Sequence, residues 1–263
     1  MAVTYTATGG TITSGGLYTA GKVPGIYQVI ATEREGTLAG AAAITVTQAG
    51  PHSYTTNFPV SENPISAGGR WINGGAVGLD WTDVSTTLGL AIGHQVGASF
   101  TDATALLTGT WGPDQMASAT VHTVNQNDAC FQEVELRLRS ALSAHVNTGY
   151  EISFHMSQTS LAYLIIVRWN GARGNFTYLF KSTRDAQFGI KDGDVVSAKI
   201  VGNVITAYIN DVQKGQVDIT SIGGTVYTTG NPGMGFNLEN TLTACKGTNG
   251  DYGFTSYTTT DIL

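Results

Sequence analysis

The chain has 263 residues, 41% of them hydrophobic and only 12% charged, with a formal net charge of −6. That length and apolar content fill the core of one large domain and leave enough chain for a second, small one. The mild negative balance offers no basic stripe to a phosphate backbone, and no apolar run reaches membrane-spanning length, so neither nucleic acid nor a membrane is expected as a partner.

The N-terminus, "MAVTYTATGG", has neither a basic start nor an apolar stretch, so no signal peptide is expected; either the chain is a trimmed piece or it is exported another way, as virion proteins are. "VTYTATGG" alternates, "SGGLYTAG" is a Gly-rich turn, "GIYQVIATE" alternates again and "GAAAITVTQ" closes the set. The Gly-Leu-Tyr-Thr-Ala turn (residues 16–20) and the Gly-x-Tyr-x-Val strand (residues 25–29) carry a resemblance to the C-terminal half of bacterial Ig-like domains of the group-2 type. The first strands of that family are missing here. An incomplete sandwich leaves apolar faces and strand edges in water, so the second domain, a neighbouring copy or a strand from another protein should cover them; residues 1–48 are expected to be a contact surface that anchors the protein to neighbouring subunits.

"QAGPHS" (residues 48–53) carries Gly50-Pro51 and places a linker at 49–53. From Tyr54 onward, strand-like runs recur with turn signals and no helical periodicity. Gly202-Asn203 and Asn210-Asp211 separate alternating runs, where hairpins need positive φ. This many antiparallel strands predict a two-sheet sandwich over 54–263.

Among these runs, "FQEVELRLRS" sets Val134, Leu136 and Leu138 on one face and Glu133, Glu135, Arg137 and Arg139 on the other. Glu133 and Glu135 are about 7 Å apart by strand rise, a separation at which two carboxylates can act as an acid/base pair. The arginines beside them are expected to pair with them and depress their pKa values, which is wrong for a general acid. A self-neutralising solvated face is the favoured reading, ahead of glycan contact and of a glycosidase pair.

In "EISFHMS", His155 shares a face with Glu151 and Ser153 and reads as a solvated or core-edge histidine. "RWNGARGN" reads as a Gly-rich loop bearing Trp169 and Arg173; Trp169 is the best candidate for an exposed stacking platform, although tryptophans in sandwiches more often seal the core or its rim, and Trp81 is expected to pack inward. Asp80, Asp83, Asp192 and Asp194 read as solvated turn acids. Cys130 and Cys245 lie in no metal-binding spacing; two buried free thiols are favoured over a disulfide. No Gly-x-Ser-x-Gly elbow is present.

The pattern Gly-Asp-x-Val…Val-Gly-Asn-x-Ile-x-Ala-Tyr-Ile-Asn (residues 193–210), with "NTGYEISF", "GNPGMGF" and "DYGFTSYTTTDIL", resembles the concanavalin A-like (laminin-G-like, glucanase-type) jelly roll. The resemblance implies a glycan-facing sheet, and it implies a structural calcium ion between the first and last strands, where Asn57 and Asp261 fall. The Glu-x-Asp-x-x-Glu strand of laminarinase-type glucanases is absent. Glu135, Arg137, Arg139 and His155 partly resemble the strands of alginate-lyase-type jelly rolls, although Ser153 stands where that family has glutamine.

The expectation is thus an all-β protein: a two-sheet antiparallel jelly-roll sandwich preceded by a small Ig-like β segment. Its expected role is non-enzymatic, a structural and binding protein on a virion or other extracellular surface, working in an oligomer or larger assembly. Glu133, Glu135, Arg137, Arg139, His155, Trp169 and Arg173 are the candidate contacts to cell-surface glycans, and no cofactor beyond the calcium ion is expected. The competing reading is a polysaccharide-active enzyme, a lyase on uronate polymers, with Arg137 neutralising the carboxylate and His155 or a tyrosine moving the proton.

Overall fold

The structure, a computed structural model, describes residues 2–21, 23–46, 52–95, 100, 102–239 and 245–262. The chain divides into two compact units, 1–50 and 51–263. Residues 49–51 of the expected linker lie outside the described residues, and Ser53 already belongs to a strand. No described helix is long and apolar enough to cross a membrane.

The first unit holds β1 (Val3–Ala7), β2 (Thr11–Ile12), β3 (Tyr18–Thr19), β4 (Gly25–Glu33) and β5 (Ala39–Val46). An antiparallel sheet runs in the order β1-β4-β5, and β2 pairs with β3. β4 lies at the centre, with β1 and β5 as edges. None of the unit's described residues is fully buried, and Leu17, Val23, Ile26 and Leu38 stand exposed.

The second unit continues with β6 (Ser53–Thr56), β7 (Trp71–Asn73), β8 (Val84–Thr87), β9 (Leu90–Gly93), β10 (Ala103–Leu107), β11 (Gln115–Thr123) and β12 (Glu133–Ser143). Then follow β13 (Val146–His155), β14 (Leu164–Gly171), β15 (Phe176–Lys181), β16 (Val195–Val201), β17 (Val204–Ile209), β18 (Val212–Asp218), β19 (Asn231–Asn237) and β20 (Tyr252–Asp261). One sheet runs β15-β14-β13-β12-β19-β10-β7; the other runs β18-β17-β16-β11-β20-β9-β8, with β6 also paired to β20. This is the expected jelly-roll sandwich.

Period-two alternation builds the core between the sheets. Val134, Leu136 and Leu138 of β12 and Tyr150, Ile152 and Phe154 of β13 meet Ala117, Ala119 and Val121 of β11 and Val196, Ala198 and Ile200 of β16. The β17–β18 hairpin turns on Asn210 and Asp211, both at positive φ, as the sequence predicts.

The cysteines correct an expectation. Cys130 and Cys245 form a disulfide across a sequence separation of 115 residues. The pairing of β12 with β19 causes this, because it brings the turn before β12 against the segment that follows β19. There the Glu239 N–H donates to the Cys130 carbonyl, and the Gly247 N–H lies 3.1 Å from its sulfur.

Candidate functional site

The other face of the seven-stranded sheet, turned away from the core, carries the charged row. Strand register sets Glu133, Glu135 and Arg137 opposite His155, Ser153 and Glu151 of β13 on one side, and opposite Asn237, Gly235 and Gly233 of β19 on the other. Neighbours of the same parity share that face, so Thr104 joins from β10, and Ile165, Val167 and Trp169 join from β14.

This face is not solvated. Arg137 is fully buried, and its guanidinium lies 2.7 Å from a Glu151 oxygen, 2.6 Å from a Glu135 oxygen and 3.7 Å from an Asp102 oxygen. It also donates to the Thr104 hydroxyl at 3.2 Å, and the Trp169 ring lies over it at 5.9 Å. The cover comes from a second apolar cluster of Leu79, Trp81, Val167 and Trp169, joined by Phe176. Gly235 makes the arrangement possible, because a Cβ there would fall 2.3 Å from the Glu135 carboxylate.

The electrostatics reverse a second expectation. Burial raises Asp102 and Glu135 well above the usual carboxylate range, and neighbouring acids add to this; the pull of Arg137 does not outweigh them. Burial opposes the charge of Arg137 as well, yet Glu151, Glu135 and Asp102 together hold it above its ordinary value. Arginine pairing does not depress these acids, because few waters remain to stabilise their charge.

Glu133 sits at the edge of this cluster. It accepts hydrogen bonds from the Tyr163 hydroxyl at 2.5 Å and the Asn237 amide at 3.0 Å. Burial pushes it up to about 7, with Glu151 and Glu239 reinforcing and the two hydrogen bonds opposing. Burial and Glu133 raise Tyr163, which therefore keeps its proton and donates. His155 stacks flat behind Tyr163 at 4.4 Å. Burial lowers His155 to about 4, so it is neutral near pH 7, with Nδ1 lying 3.2 Å from the Leu161 carbonyl.

Above these residues opens a groove of about 240 Å³. Its floor includes Glu133, Glu151 and Trp169. One wall carries Tyr163, Phe176, Tyr178, Lys181 and Arg184, with Phe100 packed against Phe176 at 5.5 Å, and the other carries Asp102, Asn237 and Glu239.

Of the residues singled out in the sequence, Glu133 and Trp169 line this groove. Glu135 and Arg137 lie beneath it, and His155 lies behind Tyr163. Arg139 leaves the row altogether: a bulge after Leu138 puts it at φ 45° and swings it toward the Pro113 carbonyl, Asp114 and the Gly202 carbonyl. Trp169 is in strand β14 rather than a loop; it is buried, and its indole N–H donates to Glu151 at 2.5 Å. Arg173 is exposed in the following turn and does not line the groove.

Asn57 and Asp261 do not meet. β6 runs antiparallel to β20, with Thr56 opposite Tyr257 and Ser53 opposite Thr260, so Asn57 and Asp261 lie at opposite ends of the pair, about 17 Å apart by strand rise. Asp261 instead accepts the Gly112 N–H at 2.9 Å. Among the described residues, acidic oxygens converge at Asp102, Glu135 and Glu151, within 4.8 Å of one another. The Arg137 guanidinium already binds that set, so it does not fit a calcium ion that needs six to eight oxygens.

The sequence reading missed Tyr163, Tyr178, Lys181 and Arg184. An alternation of Tyr163, Ile165, Val167 and Trp169 is visible in "AYLIIVRW". In β15 a register shift hides the signal, because it brings Tyr178 and Lys181 onto one face although they are three residues apart.

No family model and no curated protein sequence matches the chain. Solved structures do. A structure described under endo-acting O-glycanases, which members of the human gut microbiota express to initiate mucin breakdown, aligns with a TM-score of 0.51 at 9% identity, covering 80% of this chain and 99% of that one. The carbohydrate-binding module CBM66 from Bacillus subtilis aligns at 0.45 and 11% identity, covering 73% and 92%. A β-glucanase from Bacillus licheniformis aligns at 0.44 and 12% identity, covering 80% and 98%. Identities this low speak to the fold alone.

Proposed function

We propose that the groove binds a glycan, and that the protein is a non-enzymatic binding and structural module displayed on a surface. A jelly roll also hosts purely structural modules, so the fold by itself does not choose. The observation that carries the reading is the pairing on one groove of accessible aromatic rings with polar groups. Tyr178 is 44% exposed and stands beside Phe176, while Glu133, Asn237 and Lys181 are within the same groove. A sugar needs both, a flat apolar surface for its C–H face and donors or acceptors for its hydroxyls. The test is a glycan array followed by calorimetry. Tyr178→Ala is expected to weaken binding about tenfold, equivalent to about 1.4 kcal/mol. A wild-type protein that retains no glycan, or a variant that binds as well as wild type, would sink the reading.

One observation favours an enzyme instead. A carboxylic acid that titrates near 7 inside a groove, as Glu133 does, suits a general acid. The uronate-lyase version is poorly served, because Arg137 is sealed under the floor and held by two carboxylates, and His155 is screened by Tyr163. Release of reducing ends from a polysaccharide, abolished in Glu133→Gln, would establish hydrolysis; ultraviolet-absorbing unsaturated product would establish a lyase.

The display role rests on the first unit, which we read as an Ig-like fragment that attaches the protein to a neighbouring subunit through β1, β5 and the exposed Leu17, Val23, Ile26 and Leu38. The disulfide supports an extracellular or virion-surface location, since such bonds persist in oxidising surroundings. Mass measurement of the full chain in solution tests the attachment; a strict monomer at all concentrations argues against it.

A further inference from the structure

We infer that the ligand of the groove is an anionic glycan, whose carboxylate or sulfate group is taken by Lys181 and Arg184 on the wall built by β15 and the turn after it. This rests on the groove being the glycan site and adds the chemical class of sugar.

The two cations are placed but not neutralised. Both are exposed, both line the groove, and neither makes an ion pair among the described residues. The Lys181 ammonium lies 4.9 Å from the centre of the Tyr178 ring, and the Arg184 guanidinium lies 5.4 Å from that of Tyr163. Such contacts orient a cation while leaving its charge available. The backbone between them is pinned, because the Ser182 hydroxyl accepts the Leu164 N–H at 3.0 Å and donates to the Thr183 carbonyl at 2.8 Å. The nearest acid in sequence is engaged elsewhere: Asp185 accepts the Gln187 N–H at 2.8 Å and caps the next turn.

The acids that face these cations from other strands do not cancel them. Glu151 and Asp102 belong to the Arg137 cluster, whose guanidinium lies 2.7 Å and 3.7 Å from them, and burial raises Asp102 above the usual carboxylate range. Glu133 is held by Tyr163 and Asn237 and is partly protonated near neutrality. Glu239 lies on the opposite wall and has its own partner. The groove is therefore polarised across its width, with cations and aromatic rings on one wall and held acids on the floor and the other wall. A sugar ring stacked on Tyr178 brings a ring substituent toward Lys181 and Arg184. Guanidinium and ammonium groups suit carboxylate and sulfate oxygens, and arginine takes them in two parallel hydrogen bonds.

The experiment is calorimetry with the full-length protein and three probes: a neutral β-glucan, a polyuronate and a sulfated galactan. At least one anionic probe is expected to bind ten times more tightly than the neutral one, and the choice between the two anionic probes identifies the group. The Lys181→Ala/Arg184→Ala double variant, altered at two exposed sites, is expected to erase that preference, whereas Tyr178→Ala weakens every probe that binds. If the neutral probe binds as tightly as the anionic ones, or the double variant keeps the preference, the anion inference fails while the groove reading stands. If no probe binds, or Tyr178→Ala changes nothing, the groove reading falls and takes this inference with it.

Discussion

Arg137 brings a single positive charge to a place where Asp102, Glu135 and Glu151 converge, so the charge balance there depends on protons as well as on the guanidinium. Removing it in Arg137→Met is expected to cost about 3–5 kcal/mol at neutral pH, because the buried acids lose the counter-ion that touches them. The folded-state pKa values of Asp102 and Glu135 are already raised, and loss of the cation raises them further. A raised carboxylate contributes stability at low pH that is lost as pH climbs. Urea unfolding of the variant should therefore show a larger deficit at pH 8 than at pH 5, and an equal deficit at both would count against the charge account. Glu133 obeys the same sign within a narrower window. Its folded value is about 7 against an ordinary 4.5, so its contribution is full below about 4.5 and is lost as pH rises through 7. The span corresponds to about 3 kcal/mol. Glu133→Gln should flatten the pH–stability profile over that interval. His155 works in the opposite sense: its value of about 4 makes its contribution full above 6.5 and lost as pH falls through 4.

At the scale of strands, β12 shows what sequence can and cannot say. The alternation of Val134, Leu136 and Leu138 with charged residues names the core face correctly, and the hairpin at Asn210-Asp211 follows from residues that tolerate positive φ. Alternation cannot say whether the opposite face meets water, since its cover is Trp81, Trp169 and Asp102, from other parts of the chain. Bulges are the second source of error. One after Leu138 removes Arg139 from the row, and another in the β14–β15 pair brings Lys181 beside Tyr178. Neither leaves a mark in composition or period. The glycine of β19 gives a prediction at this scale. A Cβ at Gly235 lies 2.3 Å from the Glu135 carboxylate and 3.0 Å from the Ala103 carbonyl, so Gly235→Ala forces apart the strand and the charge cluster at once. A loss of about 2 kcal/mol or more is expected. Gly40→Ala in β5, where a Cβ meets nothing within 4 Å, is the matched control and should leave the melting temperature within a degree or two.

For the whole molecule, the two units differ in how they resist opening. Residues 51–263 enclose a continuous core between two sheets and carry the Cys130–Cys245 bond, whereas the described residues of the first unit include none that is fully buried. Local stability follows buried apolar contact, so amides of β4 should exchange with solvent far faster than those of β12 and β13 in the intact chain. Reduction of the disulfide separates the contributions of the two units. A cross-link spanning 115 residues constrains the unfolded chain by about 4–5 kcal/mol in the chain-entropy account, and both cysteines lie in the second unit. Reducing agent should therefore lower the unfolding midpoint of the second unit and leave exchange in β4 unchanged. Attachment to a neighbouring subunit should do the converse, protecting β4 and the edge strands β1 and β5 while leaving β12 and β13 as they were. Exchange measured at rising protein concentration, with and without reductant, distinguishes these effects. Protection of β4 that never grows with concentration excludes self-association as the source of its cover.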